Sequence, residues 1–253
     1  MARVIAIANQ KGGVGKTTTT ISLGAGLREL GNRVLLVDMD PQGALSIALG
    51  VNDVEQSMYD VLCNANLSVE NIVVATAIGC DLAPSNIHLA GAEVELISEP
   101  GREFILKSKL TAIDGNYDYI LSDCPPSLGL LTLNAITAAA EVLIPVQSQY
   151  LAFRGMELLM ATIDKVKARV NPNLEILGIL ATFYNGHTRH AREVVGQLRA
   201  YHGHKVFSVP IPATIKFADT TTAGESILTF SKSSPAADAY RELAREVHNA
   251  RTN

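Results

Sequence analysis

The 253-residue chain is expected to fold as an α/β protein in which a single doubly wound, mostly parallel sheet is flanked by helices. Three observations predict it. Short β-branched runs alternate with longer amphipathic stretches, the rhythm of repeated strand–helix–strand units. Runs such as Val34-Leu35-Leu36-Val37 are apolar without alternation, as a strand covered on both faces should be. The first apolar run, Val4–Ala8, passes directly into a glycine-rich turn that opens a helix.

In order, strands are expected at Val4–Ala8, Val34–Val37, Tyr119–Leu121, Val142–Val146, Ile176–Ala181 and Val206–Val209. Helices are expected near residues 16–31, 86–98, 101–113, 128–140, 153–170 and 188–202. A last helix starts cleanly, with Ser234 as its cap and Pro235 in its first turn. It runs over Ala236–Asn249 and places Tyr240, Leu243, Ala244 and Val247 on one stripe. No repeat, low-complexity tract or linker interrupts the pattern, so residues 1–253 read as one domain. The first strand begins too early to leave room for a signal peptide or for an N-terminal helix-turn-helix domain.

Composition narrows the class. Hydrophobic residues make up 47% of the chain, enough for a core and too many for disorder. No apolar run reaches the roughly 18 residues of a membrane span. Cys63, Cys80 and Cys124 are odd in number and share no CxxC spacing, which reads as reduced cysteines in a cytosolic core. The net charge of -4 is uneven: residues 1–126 carry 8 Lys and Arg against 15 Asp and Glu, and residues 127–253 carry 13 against 10. Eight basic residues lie between Lys165 and Lys216, opposed only by Glu175 and Glu193. A local basic surface on an acidic chain fits a nucleic-acid footprint, and fits a solvated helix face equally well.

The chemistry concentrates in Lys11-Gly12-Gly13-Val14-Gly15-Lys16-Thr17-Thr18. A strand, a glycine-rich turn and a helix start aim backbone N–H groups at one spot, which suits a polyphosphate. Lys16 is expected to reach the β- and γ-phosphates, and the Thr17 hydroxyl to ligate Mg²⁺. Where the usual phosphate loop has its first glycine, this one has Gln10, followed by a second lysine, Lys11. Three acids end apolar runs where an open parallel sheet forms its ligand crevice: Asp38, Asp40 and Asp123. Asp123 fits a magnesium anchor acting through bound water, with Asp38 in the same metal group. Asp40, nearer the mouth, is better placed to orient an attacking water.

These elements together resemble the ParA/Soj partition ATPases, within the MinD-type deviant Walker ATPases, a branch of the P-loop NTPases. The matching residues are Lys11–Thr18, Val37-Asp38-Met39-Asp40-Pro41-Gln42-Gly43, Asp123-Cys124-Pro125-Pro126-Ser127-Leu128-Gly129, Val209-Pro210-Ile211-Pro212 and Ser234-Pro235, spread over nearly the whole chain. The resemblance implies an ATP hydrolase that uses Mg²⁺ and forms a homodimer around two ATP molecules. Lys11 then crosses to the partner's phosphates, and Lys16, Thr17 and Asp40 keep the roles above. Pro212, in the Pro210–Ala213 segment, joins Phe183-Tyr184-Asn185 around the adenine. It further implies non-specific DNA binding by the ATP dimer, slow basal turnover, and release when a ParB-like or cargo-adaptor protein stimulates hydrolysis.

The chain departs from the family where His187 follows Tyr184-Asn185-Gly186 and where Ile211-Pro212 leads into Ala213-Thr214-Ile215-Lys216. DNA contacts are therefore expected on Arg189, Arg192, Arg199 and Lys216. The same ATPase serves plasmid or chromosome segregation and the positioning of a microcompartment or chemoreceptor array, so cargo positioning is the alternative. A MinD-like membrane ATPase would need a basic amphipathic C-terminal helix with bulky anchors. The tail from Arg245 to Asn253 offers only Val247 and Ala250. The expected setting is cytoplasmic and nucleoid-associated, without membrane attachment.

Overall fold

The structure, a computed structural model, describes residues 1–148 and 152–250. Arg251, Thr252 and Asn253 of the C-terminal tail lie outside the described residues. Its strands are β1 (Arg3–Ile7), β2 (Val34–Asp38), β3 (Val74–Ala75), β4 (Asp81–Ala83), β5 (Tyr119–Asp123), β6 (Glu141–Gln147) and β7 (Glu175–Thr182). The helices of the first half are α1 (Lys16–Glu29), α2 (Ala44–Ala48), α3 (Met58–Cys63), α4 (Leu89–Glu95) and α5 (Ile105–Thr111). Those of the second half are α6 (Leu130–Ala138), α7 (Ala152–Arg169), α8 (Arg189–His202), α9 (Lys216–Ala223), α10 (Ile227–Phe230) and α11 (Pro235–Asn249).

The strands form one sheet in the order β3-β4-β2-β5-β1-β6-β7, parallel except for the short β3–β4 pair. Both faces are covered, which is why the strands read as continuous apolar runs. Ile5, Ile7, Leu36 and Leu121 pack on one side with Leu23 and Leu27 of α1 and Leu243 of α11. Leu35, Val37 and Ile120 turn to the other, against Leu89 of α4, Leu106 of α5 and Leu131 of α6. Each such buried aliphatic side chain contributes about 1.5–3 kcal/mol relative to exposure. The β1–α1–β2 connection passes over β5 on one face, and β5–α6–β6 passes over β1 on the other. The chain thus reverses direction between β1 and β5, and the crevice lies beyond the carboxyl ends of those strands.

One expected strand is absent. Val206–Val209 makes a single parallel bridge, Val206 to Ile179, and no ladder. Phe207 N–H donates to Ile179 O at 3.0 Å, but Ser208 and Val209 add no ladder bond and Pro210 has no N–H to offer. The chain rejoins the sheet edge only where Ile211 N–H donates to Ala181 O at 2.8 Å. The short β3, β4, α2, α3, α9 and α10 have no counterpart in the sequence expectation. The helices expected near 86–98 and 101–113 each include a 3₁₀ turn, at Leu96–Ser98 and Arg102–Phe104.

Helix α1 carries the glycine loop, so its seating matters most. A β-carbon on Gly26 would lie 2.7 Å from Ala244 Cβ of α11, closer than atoms can approach. Glycine therefore lets the two helices touch backbone to side chain. The contact is fastened by Thr19 Oγ1 and the buried Tyr240 hydroxyl, 3.1 Å apart.

Candidate functional site

The loop from Asn9 to Gly15 is gripped from both sides. Asn9 donates from Nδ2 to Pro145 O on β6 at 2.7 Å and accepts from Lys11 N–H at 3.0 Å. Thr182, at the end of β7, donates its hydroxyl to Val14 O at 2.9 Å. Gly15 closes the loop with φ 86°, a left-handed conformation that costs a side-chain-bearing residue about 1 kcal/mol or more. The first helical bond is Thr19 N–H to Gly15 O at 2.9 Å. The N–H groups of Lys16, Thr17 and Thr18 therefore precede the helical ladder, at the positive end of α1.

Lys16 is 7% exposed, and its Nζ lies 3.4 Å from Lys11 O, a long and weak contact. Burial pushes its pKa down, with Asp123, Cys124 and Asp40 opposing the shift. Thr17 donates its hydroxyl to Asp123 Oδ2 at 2.7 Å, and Thr20 reaches Asp123 Oδ1 at 3.4 Å. Lys11 extends away from this centre and donates from Nζ to Gln147 Oε1 of β6 at 3.1 Å.

Asp38 and Asp123 end neighbouring strands in matched register. Burial raises both carboxyls, Asp38 to about 6 and Asp123 to about 8, and the Asp38 charge adds to the effect on Asp123. Asp38 is fully engaged: it accepts from Asp40 N–H at 3.1 Å and from Ser46 N–H and Oγ at 2.9 and 2.7 Å. Its geometry is that of a brace for the Asp40–Ser46 turn, whereas Asp123 faces Thr17. Asp40 is half-buried, and its Oδ1 accepts from Gln42 N–H at 3.0 Å.

Burial disfavours both the Lys16 ammonium and the Asp123 carboxylate. Each feels the other's charge but no ion pair is formed between them, so each can take a further counter-charge. A polyphosphate would supply the first and a hard divalent cation the second, so the residues present fit a magnesium–nucleotide. The expected adenine segments also come together. Tyr184 and Pro212 form a parallel bridge, and Ala213 N–H donates to Tyr184 O at 3.0 Å. Phe183 sits at φ 52° with its ring 3.7 Å from where a Gly15 β-carbon would be.

Arg189, Arg192 and Arg199 are exposed along α8, and Lys216 is exposed at the start of α9. Each has a local tether. Arg189 pairs with Glu193 at 2.6 Å, Arg192 donates to Gly186 O at 2.7 Å, Arg199 to Ser208 O at 2.9 Å and Lys216 to Ser231 Oγ at 2.7 Å. Reading the sequence alone missed Asn9, Thr20, Ser46, Gln147 and Thr182. Of these only Thr20, in the run Thr17–Thr20 on α1, sits where helical spacing from Lys16 could have flagged it.

A family model described as an AAA domain matches residues 2–176. The chain is 47% identical over 245 residues to the chromosome-partitioning ATPase Soj of Thermus thermophilus, covering 97% of this chain and 95% of that protein. It is 44% identical over 249 residues to the sporulation initiation inhibitor protein Soj of Bacillus subtilis, covering 98% of each. Among solved structures, one described as cobyrinic acid a,c-diamide synthase from Mycobacterium smegmatis with bound ADP and magnesium is 42% identical. It superposes with a TM-score of 0.90 over 100% of this chain and 96% of that one.

Proposed function

The chain belongs to the ParA/Soj family of partition ATPases, and we propose that it is an ATP-switched DNA partition or segregation ATPase. The observation that carries the reading is the pairing of a two-lysine phosphate loop with an exposed basic helix on an otherwise acidic protein. The similar proteins bear both partition and biosynthetic names. The nucleotide residues suit either, and the basic face of α8 favours partition.

ATP and Mg²⁺ are its cofactors, and the metal, when bound, neutralises charge on the phosphates being separated. Lys16 and the N–H groups of Lys16, Thr17 and Thr18 bind the phosphates, with Gly12, Gly13, Val14 and Gly15 shaping the cradle. Thr17 and Asp123 hold the metal side. Asp38 braces the turn so that Asp40 orients the attacking water and receives its proton during hydrolysis to ADP and phosphate. Pro212 borders the base. Lys11 leaves its rest position on Gln147 to reach the phosphates of a second copy, forming the homodimer. Arg189, Arg192, Arg199 and Lys216 neutralise DNA phosphates without reading sequence. A partner protein stimulates hydrolysis and release, and the protein works in the cytoplasm on the nucleoid. Whether the cargo is a chromosome, a plasmid or a protein assembly is set by that partner.

The test is DNA binding by Asp40→Ala, which suppresses turnover, with ATP and with ADP. ATP-dependent binding that weakens steeply with salt, and is lost on charge reversal of Arg192 and Arg199, supports the reading. ATP dimers without DNA affinity contradict it.

A further inference from the structure

The second lysine of the loop is fixed at its backbone by the loop itself and held at its tip by the sheet. Lys11 N–H donates to Asn9 Oδ1 at 3.0 Å, and Lys11 O lies 3.4 Å from Lys16 Nζ. Its ammonium is carried sideways to Gln147 Oε1, 3.1 Å away on the last residue of β6. That acceptor is anchored to the loop from two sides. Asn9 binds Pro145 O on the same strand, and Gln147 stands in register with Thr182, whose hydroxyl holds Val14 O. The two backbones are thus fixed relative to each other, and the four-carbon lysine stem is the part that can swing. Among the described residues Lys11 has no ion-pair partner. The groups that act on the buried Lys16 are Asp123, Cys124 and Asp40, and Lys11 is not among them. Its charge therefore rests clear of the phosphate site of its own chain.

We propose that Gln147 is a positioning residue that parks Lys11 in the single chain and so sets the concentration at which ATP-bound chains pair. Lys11 must give up this bond before it can reach phosphates across the interface, so the bond counts against the dimer. Two-fold symmetry makes the effect enter twice, once for each copy. The acceptor suits a reversible hold. An amide oxygen takes one hydrogen bond from the ammonium, whereas a carboxylate in its place would add an ion pair and tighten the grip. The inference rests on the proposed ATP dimer and assigns its threshold to a residue outside the phosphate loop.

The test measures dimer dissociation constants by analytical ultracentrifugation in ATP and magnesium, with Asp40→Ala as the parent to suppress turnover. Gln147→Met keeps the side-chain length and removes the acceptor. Pairing should tighten by about tenfold, because two charge-assisted bonds no longer oppose each dimer. Gln147→Glu should loosen pairing by about tenfold or more, and by less as salt rises. ATP affinity, read at protein concentrations too dilute for pairing, should be the same in the parent and both variants. A merely structural role would not move pairing in opposite directions. Pairing by Gln147→Met that is no tighter, or a loss of ATP affinity in either variant, overturns the proposal. The rest position is also read without nucleotide, by acetic anhydride labelling of Lys11 against the exposed Lys107 as reference. Labelling should be faster in Gln147→Met than in the parent and slower in Gln147→Glu. Equal labelling with normal ATP dimers overturns the parking role alone. A parent chain that stays monomeric in ATP overturns the proposed cycle, and the threshold with it.

Discussion

Asp38 and Asp123 stand as register partners at the carboxyl ends of β2 and β5, both buried and on the same face of the sheet as α1. Their carboxyls are raised by burial to about 6 and about 8. An acid whose pKa is higher folded than unfolded contributes stability that is full below its unfolded pKa. That contribution is lost as pH rises through the folded value. The nucleotide-free protein should therefore lose melting temperature between about pH 5 and about pH 8.5 from these groups. Magnesium at the proposed site favours the ionised form of Asp123, so the stabilisation that magnesium with ATP adds should grow over the same window. Differential scanning calorimetry in pH steps checks both trends. Asp123→Asn should flatten the second, and an increment that is constant with pH in the wild type contradicts the assignment.

Lys16 holds a charge that burial disfavours in the empty protein and that the proposed phosphates would stabilise. Lys16→Met keeps the aliphatic stem and removes the charge. Its nucleotide-free melting temperature should equal or exceed that of wild type. The shift on adding ATP and magnesium should vanish, corresponding to roughly 100-fold or greater loss of affinity. Isothermal titration of the variant with ATP measures this, and retained affinity places the phosphates elsewhere.

Gly26→Ala tests the seat of α1. Alanine favours a helix by about 1 kcal/mol over glycine, but overpacking costs about 1–3 kcal/mol. With its β-carbon 2.7 Å from Ala244 Cβ the substitution should be net destabilising. The melting temperature should fall by about 2–6 °C, and Ala244→Gly should recover part of the loss. A stabilised Gly26→Ala would mean that α1 and α11 are not held this closely.

Much of this architecture was legible because burial on both faces of a sheet leaves a strong apolar signature. β1, β2, β5, β6 and β7 are continuous apolar runs, and α11 announces itself through Ser234, Pro235 and its stripe. The edge pair β3–β4 escaped because strands of two and three residues carry too little pattern. Val206–Val209 misled because β-branched composition cannot report that the chain leaves the sheet edge after Phe207 and returns only at Ile211. At the site, Lys16, Thr17 and Asp123 were readable from motif and strand context, and they do converge. Asp38, expected with the metal acids, accepts hydrogen bonds from Ser46 and from Asp40 N–H, contacts that depend on a serine eight residues away. Gln147 and Thr182 grip the loop from strands more than 130 residues downstream, which no local pattern encodes.

The central claim is that Lys11, resting 3.1 Å from Gln147 in the isolated chain, completes the site of a second copy when ATP is bound. The direct measurement is the molar mass by light scattering of Asp40→Ala in ATP, in ADP, and with Lys11→Ala added. The account predicts a dimer in ATP and a monomer in ADP. Lys11→Ala should bind ATP yet stay monomeric. A Lys11→Ala variant that dimerises normally in ATP would contradict it.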